Sequence, residues 1–397
     1  MNKKLLAFAV AAAFVAPLAA HADSGNVTIY GIMDASYDIT DNGTGSAVGA
    51  AGGIRTSKVS SNSSRLGFKG SEDLGNGLSG VWQIETGINA DGTAAANLNS
   101  RNTFVGLSSK AAGTVILGRH DTPYKLATRS LDYFGDGLAD NRNIMGGGSS
   151  TNLSTAVLNG AAASFDGRQS DVVAYISPTF SGFHAAVAYV AGAEAATASG
   201  QKKGDAWSAT GVYANGPLFA SLAYERHNIG TAGTGTLGPV IAAGGAVNAA
   251  DRNEHAWKLG LGYTVDALSI GFAYEHTADD LGDSIAGGAK ISGNSNLMGH
   301  NAWTLGGKYA LGSNDLKLAY TKAGKQGSTN DTGANQLAVG VDHNMSKRTK
   351  VYVQYVKLNN DNAAMYGLNG AGATGGVSAN GVGADPSAWS LGMRHSF

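Results

Sequence analysis

Along most of this chain, large apolar residues return at every second position. Leu268, Ile270, Phe272 and Tyr274 alternate with Ser269, Gly271, Ala273 and Glu275, and Trp257, Leu259, Leu261 and Tyr263 alternate with Lys258, Gly260, Gly262 and Thr264. Leu218, Leu222 and Tyr224 oppose Ser221 and Glu225, and the closing segment Trp389 to Phe397 sets Ser390, Gly392, Arg394 and Ser396 between larger side chains. A period of two is the signature of a strand with one apolar and one polar face. Short joints rich in Gly, Asn, Asp or Pro fall at 72–77, 110–113, 178–182, 214–216, 264–267, 311–314 and 344–348. Long polar joints fall at 41–61, 90–100, 120–167, 194–204, 228–253, 277–299, 323–332 and 359–384. These connections, alternately short and long, predict sixteen strands.

An even number of strands, with short turns at one end and long loops at the other, predicts an all-β fold: a 16-stranded antiparallel transmembrane β-barrel with long outer loops and short periplasmic turns. Aromatic residues expected at strand ends, as interfacial girdles, are Tyr30, Tyr213, Tyr224, Trp257, Tyr263, Trp303, Tyr309 and Trp389. A soluble sandwich or propeller would share the period. Sandwich strands, however, are commonly about 5–6 residues long, and the chain lacks the 40–50-residue self-similarity of blades.

The first 22 residues have the pattern of a cleaved secretory leader. Lys3 and Lys4 precede an apolar run from Leu5 to Leu18, and Ala20-His21-Ala22 forms a small-x-small site before Asp23. The expected mature chain is therefore 23–397. Its first strand, Val27 to Ile32, follows so closely that no plug domain is expected before it. No later segment offers a helical membrane span of about 18 apolar residues.

Composition narrows the chemistry. With no cysteine among 397 residues, disulfides and thiolate metal sites are excluded. The formal charge of −1, falling to −3 without Lys3 and Lys4, gives no electrostatic footprint for nucleic acid. The hydrophobic fraction of 43% is ordinary for a soluble protein, as expected where lipid-facing and water-facing residues average out.

A sixteen-stranded barrel encloses more space than its side chains fill, so it predicts an aqueous channel. The longest joint, 120–167, exceeds the length at which unstructured loops are common. Asp121 or Thr122 is placed to cap a helix, Pro123 suits its first turn, and Tyr124 to Phe134 predicts three turns ending at a left-handed Gly135. Folded inward, this segment with Asp132, Asp136 and Asp140 would narrow the channel; folded outward it would be a surface loop.

The stretch Ser64-Arg65-Leu66-Gly67-Phe68-Lys69-Gly70-Ser71-Glu72-Asp73-Leu74-Gly75-Asn76-Gly77-Leu78 resembles the second strand and first turn of trimeric Gram-negative general porins, especially their neisserial-type branch. Arg101 to Leu107, Gly113 to Arg119, Ser346 to Thr349 and the closing Gly392 to Phe397 resemble the same family, so the similarity covers essentially the whole mature chain. It implies a homotrimer in outer-membrane lipid that passes ions and small hydrophilic solutes, with the third loop (120–167) folded into the lumen opposite an arginine cluster. That cluster falls on Arg65, Arg101 and Arg168, the last lying seven residues before Tyr175. Parity agrees. If Leu66 and Phe68 face lipid, Arg65 and Lys69 face inward; if Phe104 faces lipid, Arg101 faces inward, although Val105 and Leu107 run against this case. The loop departs from the family pattern at Tyr133-Phe134-Gly135-Asp136, where the usual proline is missing, so Asp136 ranks ahead of Asp132 and Asp140 as the opposing acid.

Other chemistry finds little support. Matches to GxGxxG at 75–80, 233–238 and 370–375 are expected by chance among 59 glycines, and none lies in a βαβ unit. Asp38, Asp41, Asn42 and Gly43 hint at a calcium loop, but Gly49 stands where the closing Glu belongs. The nine histidines show no ligand spacing, so no metal or cofactor is implied. The remaining alternatives are a substrate-specific outer-membrane channel and, further off, a barrel enzyme using His343 or His276.

Overall fold

The computed structural model describes residues 26–45, 52–92, 101–146, 165–192, 204–228, 252–283, 292–327, 329–369 and 375–397, with short pieces at 247–248, 285–286 and 289–290. The leader expected at 1–22 lies outside the described residues. Sixteen antiparallel strands run in chain order: β1 (Asn26–Asp41), β2 in two segments (Arg55–Ser61 and Arg65–Gly75), β3 (Leu78–Gly87), β4 (Thr103–Ser109), β5 (Gly113–Asp121), β6 (Arg168–Ile176), β7 (Phe183–Val190) and β8 (Asp205–Asn215). They continue with β9 (Leu218–Asn228), β10 (Asn253–Val265), β11 (Leu268–Asp279), β12 (Asn301–Leu311), β13 (Asn314–Ala323), β14 (Ala334–Asn344), β15 (Thr349–Asn360) and β16 (Ser387–Ser396).

Each strand pairs with its neighbours, and β16 pairs with β1 from Ser396↔Ile32 to Ser387↔Asp41, closing the barrel. Closure leaves no sheet edge, which is what lets a β-structure satisfy its backbone in lipid. Phe397 completes the seam: its N–H donates to Gly31 O at 3.1 Å and its carbonyl accepts from Gly31 N at 3.0 Å. The break in β2 is a bulge. Between Ser61↔Ala35 and Arg65↔Ile32, the three residues Asn62, Ser63 and Ser64 oppose Met33 and Asp34, and Ser63 takes a φ of 54°.

The alternation read from the sequence holds on β9, β10 and β11. Leu222, Leu261 and Ile270 are exposed on the outer face, while Ser221, Lys258 and Glu275 are buried on the inner one. Two side chains face the other way from expectation. Phe104 points inward with His120, its ring 5.4 Å from the imidazole, because Val105 and Leu107 are the outward pair on β4. Tyr30 also faces the lumen, donating its hydroxyl to Glu85 at 2.9 Å. A third pattern was invisible to period alone: on β5 to β8 the inward side is apolar too, with Ile116, Val172, Ile176 and Val190 buried together.

Candidate functional site

The long connection after β5 folds inside the barrel. Its entry follows from local chemistry: Thr122 Oγ1 accepts from Lys125 N, Pro123 occupies the first turn, and α1 spans Pro123–Leu126. The three-turn helix expected through Phe134 is not formed. The helix stops after one turn, a 3-10 turn follows at Arg129–Leu131, and the chain extends at Asp132. Arg129 explains the break, because its guanidinium gathers Asp132, Asp136 and Asp140 at 3.3, 3.0 and 2.9 Å, a fold-back that a continuous helix forbids. The left-handed residue is Asp136, φ 76°, and not Gly135.

The loop's apolar side chains rest on wall glycines. Cβ atoms at Gly260, Gly262 and Gly271 would come within 2.9–3.1 Å of Leu131, one at Gly306 within 3.1 Å of Tyr133, and one at Gly340 within 3.0 Å of Phe134. Only bare backbone leaves room for these contacts. Polar ties fix the rest of the loop. Tyr124 donates to Glu275 at 2.7 Å, Gly146 N donates to its other oxygen at 2.8 Å, and Asn143 donates to Gln336 at 2.8 Å. At the return, Lys258 pairs with Asp166 at 2.5 Å. The loop therefore lines the β9 to β15 side, and water is left against β2 to β6, β15 and β16.

That remaining space is a cavity of about 740 Å³. Arg65, Arg101 and Arg168 all line it, together with Asp132 and Asp136. Asp140 does not: it is wholly buried beneath Arg129 and Arg142. Asp136 joins loop to wall, its Oδ2 lying 3.4 Å from Arg65 and 3.3 Å from Arg394. Arg101 is held by Glu85 at 2.5 Å, and Arg168 by Asp121 at 3.0 Å and Asn102 Oδ1 at 2.7 Å.

Five further cations line the same cavity: Lys125, Arg129, Arg142, Lys350 and Arg394. Sequence reasoning had missed them as site residues. Arg394 was within reach, since it shares the inward parity of Ser390 and Gly392, and Lys350 has the parity of the lumen-facing Tyr352. The three loop cations carried no periodic signal. Three of the lining cations are more exposed than the acids they pair with: side-chain exposure is 20% for Arg101 and 22% for Arg129 and Arg394, against 9% for Glu85, 6% for Asp34 and 0% for Asp140. Those three carboxylates sit behind as tethers, whereas Asp136 is as exposed as its partner Arg65.

Within the loop the acids are set apart electrically. Burial, then the neighbouring Asp140, push the Asp132 carboxyl up to about 7. Burial acts the same way on Asp136, but Arg129, Arg65 and Arg394 outweigh it and hold that carboxyl below the usual range. Asp140 is likewise held low against burial by Arg129 and Arg142. Among the described residues no cluster of His, Cys, Asp and Glu is arranged to hold a metal.

Comparison with known proteins agrees with this architecture. Outer membrane porin protein 32 of Delftia acidovorans is 28% identical over 402 residues, spanning all of both chains. Major outer membrane protein P.IA of Neisseria meningitidis is 25% identical over 450 residues, again spanning both chains. The structure of an anion-selective porin from Comamonas acidovorans superposes with a TM-score of 0.70 at 25% identity, covering 94% of this chain and 100% of that one. A family model described as Gram-negative porin matches residues 7–363, and with it the chain belongs to the Gram-negative porins, outer-membrane barrels that act as passive channels and not as enzymes.

Proposed function

We propose that this channel filters small hydrophilic solutes by charge and favours anions, with Arg65, Arg101 and Arg168 on the wall and Asp132 and Asp136 on the inward loop 120–167 forming the filter, and Asp140 fixing Arg129 and Arg142 from behind. The observation that carries this reading is the lining of the cavity: eight cationic side chains against Asp121, Asp132 and Asp136. Fixed charges between low-dielectric walls concentrate counter-ions in the passage. The relative solved from Comamonas acidovorans is itself described as anion-selective, which supports the same preference here.

Residues 1–22 serve as the cleaved leader, and 23–397 form the mature barrel. The family resemblance, together with the outer surface, supports a homotrimer. Aromatic residues run along the outer face near the long loops from Tyr189 and Trp207 through Trp257 and Trp303 to Tyr355 and Trp389. Toward the long-loop ends of β2 to β6 the outward positions carry Val59, Ile84, Leu117 and Val173 instead, a surface suited to another barrel rather than to headgroups. Reversal potential in a salt gradient tests the filter. Native protein is expected to favour anions and Arg65→Ser to favour them less; an unchanged potential removes Arg65 from the filter.

A further inference from the structure

Beside the large cavity, a pocket of about 30 Å³ lies between the loop tip and the barrel wall. Lys317 enters it from β13, Lys350 and Gln354 from β15, and Arg394 from β16. Lys350 and Arg394 also line the large cavity, whereas Lys317 and Gln354 line only the pocket. Lys317 is buried, with its ammonium 4.7 Å from the centre of the Phe134 ring at the loop tip.

The charges of this pocket do not balance. Lys317 and Lys350 both pair with Asp342, at 2.7 and 2.6 Å, and neither has another acid partner among the described residues. Two ammonium groups against one carboxylate leave an excess positive charge, which acts strongly where water is scarce. Asp34 lines the pocket too, but its carboxylate is taken up by Arg394 at 3.3 Å and the Tyr352 hydroxyl at 2.8 Å.

Donors are left over as well. Gln354 is 5% exposed and its side chain makes no hydrogen bond among the described residues. Its Nε2 stands 2.9 Å from where a Gly137 Cβ would lie, so the amide reaches the loop tip. The N–H groups of Gly135 and Gly137, on either side of the left-handed Asp136, likewise make no hydrogen bond among the described residues. Buried donors without an acceptor are costly, and backbone N–H groups beside a left-handed residue form concavities that hold anions.

Size decides which anion. About 30 Å³ is one water molecule's share of the liquid. A monoatomic halide fits such a space, whereas phosphate, sulfate and carboxylates carry several oxygens and do not. We infer that the pocket binds one halide ion between Lys317, Lys350 and the Gln354 amide. The Gly135 and Gly137 N–H groups close the loop side, and the ion ties the loop tip to β13 and β15. Occupancy of this pocket is separate from permeation, so a halide held here does not depend on the preference of the charge filter.

Crystals of the full barrel grown with bromide as the sole halide test this, because bromide scatters anomalously and differs little from chloride in size. At about 0.15 M bromide, close to physiological ionic strength, an anomalous peak is expected between Lys317 Nζ and Gln354 Nε2. Excess sulfate is expected to displace bromide from the arginines of the large cavity and to leave the pocket peak in place. Gln354→Met keeps the side-chain volume and removes the amide donor. Loss of that hydrogen bond to an ion is expected to weaken bromide about tenfold, read as occupancy against bromide concentration. An empty pocket in the native map overturns the inference. So does a peak seen only at molar bromide, which is binding at crystal concentration only. A peak that sulfate removes, or that Gln354→Met leaves at native occupancy, overturns it equally. Should the variant fail to fold, the native maps with and without sulfate still decide.

Discussion

Asp136 and Arg394 meet at 3.3 Å although 258 positions separate them in the chain. The same carboxylate oxygen faces Arg65, so one loop acid answers two wall arginines, from β2 and from β16. Replacing it with a neutral isostere leaves both guanidinium groups facing the water. Asp136→Asn is therefore expected to raise the anion-to-cation permeability ratio about two- to threefold, by the focusing of a fixed field in a narrow passage. Reversal potential measured beside native protein checks this, and a fall in the ratio refutes it.

Asp132 supplies a pH dependence. Burial and the neighbouring Asp140 push its carboxyl up to about 7, so it gains negative charge as pH rises through neutrality. A negative charge gained on the lining works against anions, so the preference is expected to weaken as pH rises across this window. Asp132→Asn is expected to flatten the profile at its low-pH value. The measurement is reversal potential against pH for both proteins, and a native profile that is flat or rises sinks the assignment.

The seat of the loop predicts an effect on conductance. A Cβ at Gly262 would lie 2.9 Å from Leu131 and 3.1 Å from Phe219, so Gly262→Val lifts the loop off the wall and into the passage. Overpacking of this kind costs about 1–3 kcal/mol. Single-channel conductance is expected to fall, with ion selectivity retained. Leu131→Ala removes buried volume at the same contact and is expected to broaden the distribution of conductances.

Phe397 predicts an assembly defect. Its backbone makes both hydrogen bonds to Gly31 at the closing seam, and its ring fills the space where a Gly31 Cβ would stand. Deleting Phe397 is expected to lower the yield of folded, heat-resistant barrel in the outer membrane. Gly31→Val is expected to do the same from the other side of the contact. Native yield of the truncated chain refutes the role.

Much of the architecture was legible because a barrel wall has a single rule, greasy outside and polar inside, and β9 to β11 obey it plainly. The rule weakens where both faces are apolar, as on β6 with Val172 and Val173, and there Phe104 on the nearby β4 could not be oriented by period alone. Turn residues marked the seven short joints, and in six of them a Gly, Asn, Asp or Ser takes up left-handed backbone. The third loop was less legible. Thr122 and Pro123 announced its helix correctly, but the helix ends where Arg129 draws three carboxylates together, a tertiary event with no local signature. Arg65, Arg101 and Arg168 were found through motif and parity. Arg394 and Lys350 obeyed the same parity, and Arg129 and Arg142 had no rule to reveal them.

The bridge from Asp136 to Arg65 and Arg394 also spans the junction where the two chain ends join, since β1 lies between the strands that carry those arginines. Until β16 has docked on β1, only one of the two guanidinium groups is in place to receive the loop's tip. The loop's tip thus meets both of its wall partners only in the sealed cylinder, so the gauge of the bore depends on the seam as well as on the loop's seat.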